Sequence, residues 1–272
     1  EDVIDTGFTT PDPYQLHKIF KMMKERGQEF VVMEASAHAL ALNKLDGIKF
    51  EIGVLTNITE DHLDFFNNME NYANAKYKLF DCEKIKLGVV CDKDQYCRKI
   101  IDSSQVPVVV YGENENFDIF FKELKKDFEG SRFICNYMGQ EIDIKLPLVG
   151  KYNVENALAA IAVARIIGVP FDMIKFALSS LTPVEGRFNV IKMGSVNVII
   201  DFAHTPDGLE NVFRSARELA EGQLVCIFGC GGNRDKLKRP IMGKIASELA
   251  DEVILTSDNP RYEQPLDIIN DI

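Results

Sequence analysis

Four polar clusters carry the residue types that chemistry needs. Glu34-Ala35-Ser36-Ala37-His38 follows the apolar run Val31-Val32-Met33. A carboxylate after a strand is the kind of oxygen donor Mg²⁺ takes; the same spacing suits Ser36 as a helix cap with solvated neighbours. Glu60, Asp61, His62 and Asp64, in the segment Thr56-Asn57 to Asp64, can gather a metal or a metal-bound phosphate. An acidic helix N-terminus, which the helix dipole favours, fits them equally. Lys76, in a helix-like stretch, reads on spacing alone as a solvated lysine. The loop Gly229-Cys230-Gly231-Gly232-Asn233-Arg234 lets backbone amides approach an anion, and Arg234 can grip a carboxylate in a planar fork. It is not a G-x-G-x-x-G fingerprint. Nor is there a G-x-x-x-x-G-K-[ST] loop: Gly150-Lys151 is followed by Tyr152 and Gly243-Lys244 by Ile245.

Such clusters need strand ends to stand on, because ligands of open α/β sheets bind there. Leu16, Ile19, Phe20 and Met23 share one stripe and predict a helix over 13–26, stopped by Gly27. Strands are predicted at 29–33, 50–56, 86–91 and 107–111, with helices at 70–80 and 95–101 between them. That alternation predicts an α/β domain with a mostly parallel sheet. After Gly112 the segments 118–128, 131–137 and 141–146 alternate around Glu129-Gly130 and Met138-Gly139, and read as antiparallel hairpins forming a small sheet at the domain edge. Helices follow at 154–167 and 172–181. Beyond Thr182-Pro183 a second alternation begins: strands at 188–192, 197–201, 224–228 and 252–256, helices at 206–220 and 235–250. The expected domains are therefore 1–182 and 183–272, the second truncated.

The 272 residues include 31 Lys and Arg against 42 Asp and Glu, a net charge of −11. Such a chain is a poor nucleic-acid binder, since neutralising phosphates takes clustered cations. No apolar run reaches the ~18 residues of a membrane span; the longest, 157–171, is broken by Arg165. Cys82, Cys91, Cys97, Cys135, Cys226 and Cys230 form no C-x-x-C pair and read as reduced thiols of a cytoplasmic protein. The start at Glu1 rather than Met, and the end at Ile272 inside a helix just begun, read as cut ends of a longer chain. His17 stands outside every motif and reads as a solvated helix residue.

Taken in order, the blocks Thr9-Thr10-Pro11, Glu34 to Leu40, Thr56-Asn57 to Asp64, Ala75-Lys76, Gly150 to Ala160, Gly186-Arg187, Asp201 to Pro206, Gly229 to Pro240 and Asp258 to Arg261 resemble the Mur ligases, ATP-dependent amino-acid ligases of peptidoglycan synthesis. The likeness runs over nearly the whole chain and is greatest to the branch that adds meso-diaminopimelate. It implies a central ATPase domain lacking its phosphate-loop part, followed by part of a Rossmann-like C-terminal domain. The implied partners are ATP, UDP-N-acetylmuramoyl dipeptide and meso-diaminopimelate, with Mg²⁺, in a cytoplasmic monomer.

The resemblance also implies roles. Glu34 and His62 bind Mg²⁺, and Lys76 is carbamylated and becomes a carboxylate ligand; together these three are the catalytic set. Thr9, Thr10, Ser36 and Lys44 contact the muramyl substrate, Lys44 standing where the family usually has Arg and Ala37 replacing a usual Ser. Asn156, Arg187, Asp201 and His204 contact ATP. Arg234 with Asp258, Asn259, Pro260 and Arg261 binds diaminopimelate, whose distal carboxylate calls for a guanidinium that lysine does not require. The rivals are a lysine-adding sister, against which Arg261 speaks, a folylpolyglutamate synthetase, against which Asp201 to Pro206 speaks, and a non-catalytic binding module. Without the phosphate loop, this polypeptide alone is expected to show no ligase turnover.

Overall fold

Two apolar runs, Ile85–Cys91 and Val108–Gly112, become the centre of the main sheet, where Val89, Val90, Cys91 and Tyr111 are almost wholly buried. The structure is a computed structural model and describes residues 3–272; Glu1, on which one reading of a cut end rests, lies outside the described residues. In chain order the first part holds α1 (Pro13–Glu25), α2 (Ala37–Ala41), β1 (Phe50–Leu55), α3 (Leu63–Phe66), α4 (Met69–Tyr77), β2 (Ile85–Cys91), α5 (Gln95–Ser103) and β3 (Val108–Gly112). It continues with β4 (Ile119–Asp127), β5 (Gly130–Tyr137), β6 (Gln140–Leu146), α6 (Lys151–Ile166) and α7 (Phe171–Ser179).

The strands form one six-stranded sheet in sequential order. β1, β2 and β3 pair in parallel, β3 meets β4 in parallel over two residue pairs, and β4, β5 and β6 continue antiparallel. The hairpins thus extend the parallel sheet at its edge. α6 packs on this sheet: Val154, Leu158, Ile161 and Ala162 share a core with Val89, Tyr111, Ile119 and Phe133. On the other side α4 and α5 bury Tyr72, Ala73, Ala75, Cys97 and Ile100 against Ile85 and Val90.

The predicted strand at 29–33 does not form. Residues 28–36 are irregular, and Phe30, Val31 and Val32 are 64%, 46% and 95% exposed. β1 is an edge strand, and no ladder joins this segment to it. An apolar run without a hydrogen-bonding neighbour lacks what makes a strand.

The second part holds the antiparallel hairpin β7 (Asn189–Met193) and β8 (Val196–Ile200), then α8 (Pro206–Leu219), β9 (Val225–Phe228), α9 (Lys238–Leu249), β10 (Glu252–Leu255) and α10 (Pro265–Asp271). β9 and β10 pair in parallel, and α8 and α9 pack together through Leu209, Phe213, Met242 and Ala246. Val149, Phe188 and Ala216 close a small core between the two parts, flanked by the ion pairs Lys126–Glu218 and Lys192–Glu129. Among the described residues no helix is long and apolar enough to cross a membrane.

Candidate active site

At the mouth of the first part, Thr10 is a buried hydroxyl that ties two loops. Its Oγ1 donates to the Glu34 carbonyl at 3.0 Å and lies 3.1 Å from Ser36 Oγ, while Ser36 N donates to it at 3.2 Å. Ser36 Oγ also accepts from Ala39 N, capping α2. The capping reading of Ser36 therefore holds, and its neighbour Glu34 is exposed beside it. Thr9 is exposed, and Lys44 is ion-paired to Asp12 at 2.6 Å under the Phe8 ring. Thr10 and Ser36 are thus knotted to Glu34, whereas Lys44 sits in a separate ion pair.

His62, the residue before α3, has a left-handed backbone conformation, φ 57°. Its Nε2 lies 3.4 Å from Asp61 Oδ2, and its ring stacks edge-on against His38 with centroids 4.8 Å apart. Burial first, then the His62 imidazole, push His38 below the usual histidine range; Asp64 and Asp61 oppose this. Lys76 enters from α4. Its Nζ stands 5.1 Å from the Tyr72 ring centroid and has no hydrogen bond or ion pair among the described residues. Burial lowers its pKa, with Glu34 the largest opposing influence, followed by Cys97, Asp61 and Asp94. The lysine is therefore not the solvated one that spacing alone suggests. Among the described residues no three His, Cys, Asp or Glu side chains converge as a metal cage. The Glu34 carboxylate is a donor of the kind Mg²⁺ takes, and an oxygen carried by Lys76 would add a second.

A cleft of ≈ 450 Å³ lies between the first part, at Thr56, Asn57 and α6, and the second part, and Asn156, Arg187, Asp201 and His204 all line it. Asp201 is anchored by accepting from Phe188 N and Ala203 N, both at 2.7 Å; the Arg187 guanidinium stands 5.3 Å from the Phe202 ring centroid. His204 Nδ1 lies 3.1 Å from the Phe202 carbonyl. Lys93 and Glu155, which the sequence analysis did not single out, meet at 2.9 Å on the cleft wall. Asp207 faces the same cleft, its carboxyl raised by burial and lowered by Lys93. A lysine just past β2 and a glutamate in an Ala-rich helix carry no local signal that they pair.

The loop after β9 and the loop after β10 are interlocked. Gly232 N donates to Asn259 O at 2.9 Å, Tyr262 N donates to Asn233 Oδ1 at 2.9 Å, and an Arg261 guanidinium nitrogen donates to Gly232 O at 2.7 Å. Asp258 and Asn259 are exposed, Asn259 Oδ1 accepting from Arg261 N, and the Pro260 carbonyl accepts from Glu263 N. Arg234 is exposed, with no partner among the described residues, yet its charge reaches His38 and lowers its pKa. The two predicted diaminopimelate loops therefore form one unit.

Residues 2–164 match the family profile described as Mur ligase middle domain, and residues 186–272 match the one described as Mur ligase, glutamate ligase domain. The chain belongs to the Mur ligase family. Among curated relatives, the UDP-N-acetylmuramoyl-L-alanyl-D-glutamate–2,6-diaminopimelate ligase of Caldanaerobacter subterraneus subsp. tengcongensis is 43% identical over 271 residues, covering 99% of this chain and 56% of that one. The enzyme of the same name from Clostridium tetani is 41% identical, covering 97% and 55%. A solved structure of a ligase with that name superposes with a TM-score of 0.71 at 34% identity, over 96% of this chain and 55% of that one. The chain spans about half the length of the curated relatives it matches.

Within this Mur ligase chain, Gly232 is the narrowest point of the interlock: a Cβ there would lie 1.9 Å from the Pro260 carbonyl oxygen. Gly232→Ala is expected to drive the loops apart and lower stability by about 1–3 kcal/mol, the usual cost of overpacking. The urea midpoint checks this, and an unchanged midpoint would mean the loops part without cost.

Proposed function

We propose that this chain forms the middle and part of the C-terminal domain of a cytoplasmic, monomeric ligase. It would join meso-diaminopimelate to UDP-N-acetylmuramoyl-L-alanyl-D-glutamate at the expense of ATP, with the domain boundary at Thr182-Pro183. The observation that carries the reading is the interlock of the loops after β9 and β10, which sets Arg234 and Arg261 on one unit, in a chain where Asn156, Arg187, Asp201 and His204 line a single cleft.

The reaction is acyl activation followed by ligation. The γ-carboxylate of D-glutamate attacks the γ-phosphorus of ATP, releasing ADP and forming an acyl phosphate. The amine of diaminopimelate attacks that carbonyl, and the tetrahedral intermediate collapses with loss of phosphate. A carboxylate approaching a polyphosphate is repelled, so charge must be screened. Glu34, His62 and carbamylated Lys76 would hold Mg²⁺, which supplies that screening. Asn156, Arg187, Asp201 and His204 orient the nucleotide across the cleft. Thr9, Thr10, Ser36 and Lys44 line the muramyl side, where Lys44 gives up its ion pair with Asp12 to meet substrate. Arg234 and Arg261, with Asp258, Asn259 and Pro260, select the amino acid. Arg234 stays exposed and unpaired until a carboxylate reaches it.

The test is phosphate release by the full-length protein, at the length of its relatives, with muramyl dipeptide, ATP and Mg²⁺ and with meso-diaminopimelate, lysine or glutamate as acceptor. Turnover is expected with diaminopimelate at a kcat/KM well above the others. Equal use of lysine, or no acceptor-dependent release, would sink the reading.

A further inference from the structure

Arg239 is wholly buried, with 0% of its surface exposed, near the start of α9. A guanidinium cannot shed its charge, so it must be paired where it lies. Glu263 takes both terminal nitrogens, NH1 to Oε2 and NH2 to Oε1, each at 3.0 Å. NH1 also donates to Asp271 at 2.7 Å and NH2 to the Gly231 carbonyl at 3.2 Å, while Nε has no partner. Glu263 in turn accepts from the backbone N–H of Asn233 and pairs with Lys236 at 2.9 Å. These contacts hold its carboxyl far below the usual range, the Arg239 bond first among them.

A buried ion pair with a stranded nitrogen is a poor way to gain stability, since apolar residues of the same volume do as well. What the pair does gain is orientation. Arg239 grips the loop before Arg234 through Gly231, and Glu263 grips it through Asn233, one residue from Arg234. Glu263 also lies two residues beyond Arg261, so one fork sets the spacing of both specificity arginines. The geometry points to Arg239 and Glu263 as positioning residues that fix Arg234 and Arg261 for the distal carboxylate of the incoming amino acid. Neither touches substrate, and the assignment rests on the proposed diaminopimelate site.

Glu263→Gln keeps the shape and weakens the fork; Arg239→Lys keeps the charge and removes it. In the full-length protein both are expected to raise KM for diaminopimelate roughly ten- to a hundredfold, the scale of a 1 Å misplacement. KM for ATP and for muramyl dipeptide should stay within about twofold, because uniform binding elsewhere is untouched. Without any substrate, amide hydrogen exchange at Asn233 and Gly232 should quicken while α6 stays protected. Unchanged exchange at Asn233 in Glu263→Gln would overturn the fork, as would equal rises in all three KM values. If Arg239→Lys fails to fold, Glu263→Gln alone decides. Wild-type protein that ignores diaminopimelate would sink the functional reading instead, while the exchange measurement still judges the fork.

Discussion

In the full-length protein, Lys76→Ala is expected to lower kcat by about 10²–10³-fold, the loss that follows removal of one preorganised electrostatic group. The argument starts from burial. Lys76 Nζ stands over the Tyr72 ring without a hydrogen bond or ion pair among the described residues, and desolvation lowers its pKa despite Glu34. A lowered pKa means a larger neutral fraction, and the neutral amine is the form that adds CO₂: the nitrogen lone pair bonds the carbon, and a proton leaves to solvent. On the proposed reading the product would be a carboxylate near Glu34, whose charge already acts on the lysine, and it would add oxygen donors to the metal set. The sign with pH follows. As pH falls through the amine's pKa the lysine protonates, the carbamate is lost, and activity should fall. Short carboxylic acids should partly restore Lys76→Ala, and ¹³C-bicarbonate should give a carbamate resonance in wild type that the variant lacks. Full activity in Lys76→Arg, which cannot be carbamylated, would end the hypothesis.

Much of the fold is legible because its signals are local. The runs that became β2 and β3 are apolar and bounded, and Gly27 marks the end of α1. Asp94 caps α5 by accepting from Tyr96 N and Cys97 N, a short-range pattern of the kind that sequence alone carries. The failure at 29–33 has the opposite origin. Phe30 to Val32 have strand chemistry, but a strand exists only with a partner, and pairing is a long-range fact. The short α2 and α3 carry only a cap and an acidic helix start as sequence signals, since four or five residues leave no periodicity to detect.

The site divides the same way. Asn156, Arg187, Asp201 and His204, which family likeness implies, line one cleft, though their spacing along the chain says nothing of that. Lys76 reads locally as solvated and is implied only by the same likeness, because burial of a helix lysine depends on what packs over it. Arg239 and Glu263 left no trace at all. An arginine in a charged helix start reads as solvated, and only the arrival of α10 and the second loop encloses it. Charges that tertiary structure buries are thus the residues hardest to read from sequence.

Arg261→Ala is expected to cut kcat/KM for meso-diaminopimelate by about 30-fold or more, with little change for lysine. Truncating one partner of a desolvated charge pair costs ~2–5 kcal/mol, partly through the charge left stranded. At ~1.4 kcal/mol per factor of ten, the lower end already gives the stated loss. One guanidinium nitrogen of Arg261 is held by the Gly232 carbonyl at 2.7 Å, which aims the fork and leaves its other donors for a carboxylate. The backbone at Arg261 is left-handed, φ 50°, and alanine bears the same strain, so the substitution tests the side chain rather than the turn. Arg261→Lys keeps the charge without the planar fork and should fall between wild type and Arg261→Ala. KM for ATP and muramyl dipeptide should hold, because Arg261 neither lines the cleft of Asn156, Arg187, Asp201 and His204 nor bonds to Thr9, Thr10, Ser36 or Lys44. Lysine decides the matter: it has no distal carboxylate, so losing the guanidinium removes nothing it uses. Equal losses for the two amino acids would mean that Arg261 serves only to brace Gly232, and the choice of diaminopimelate would have to come from Arg234.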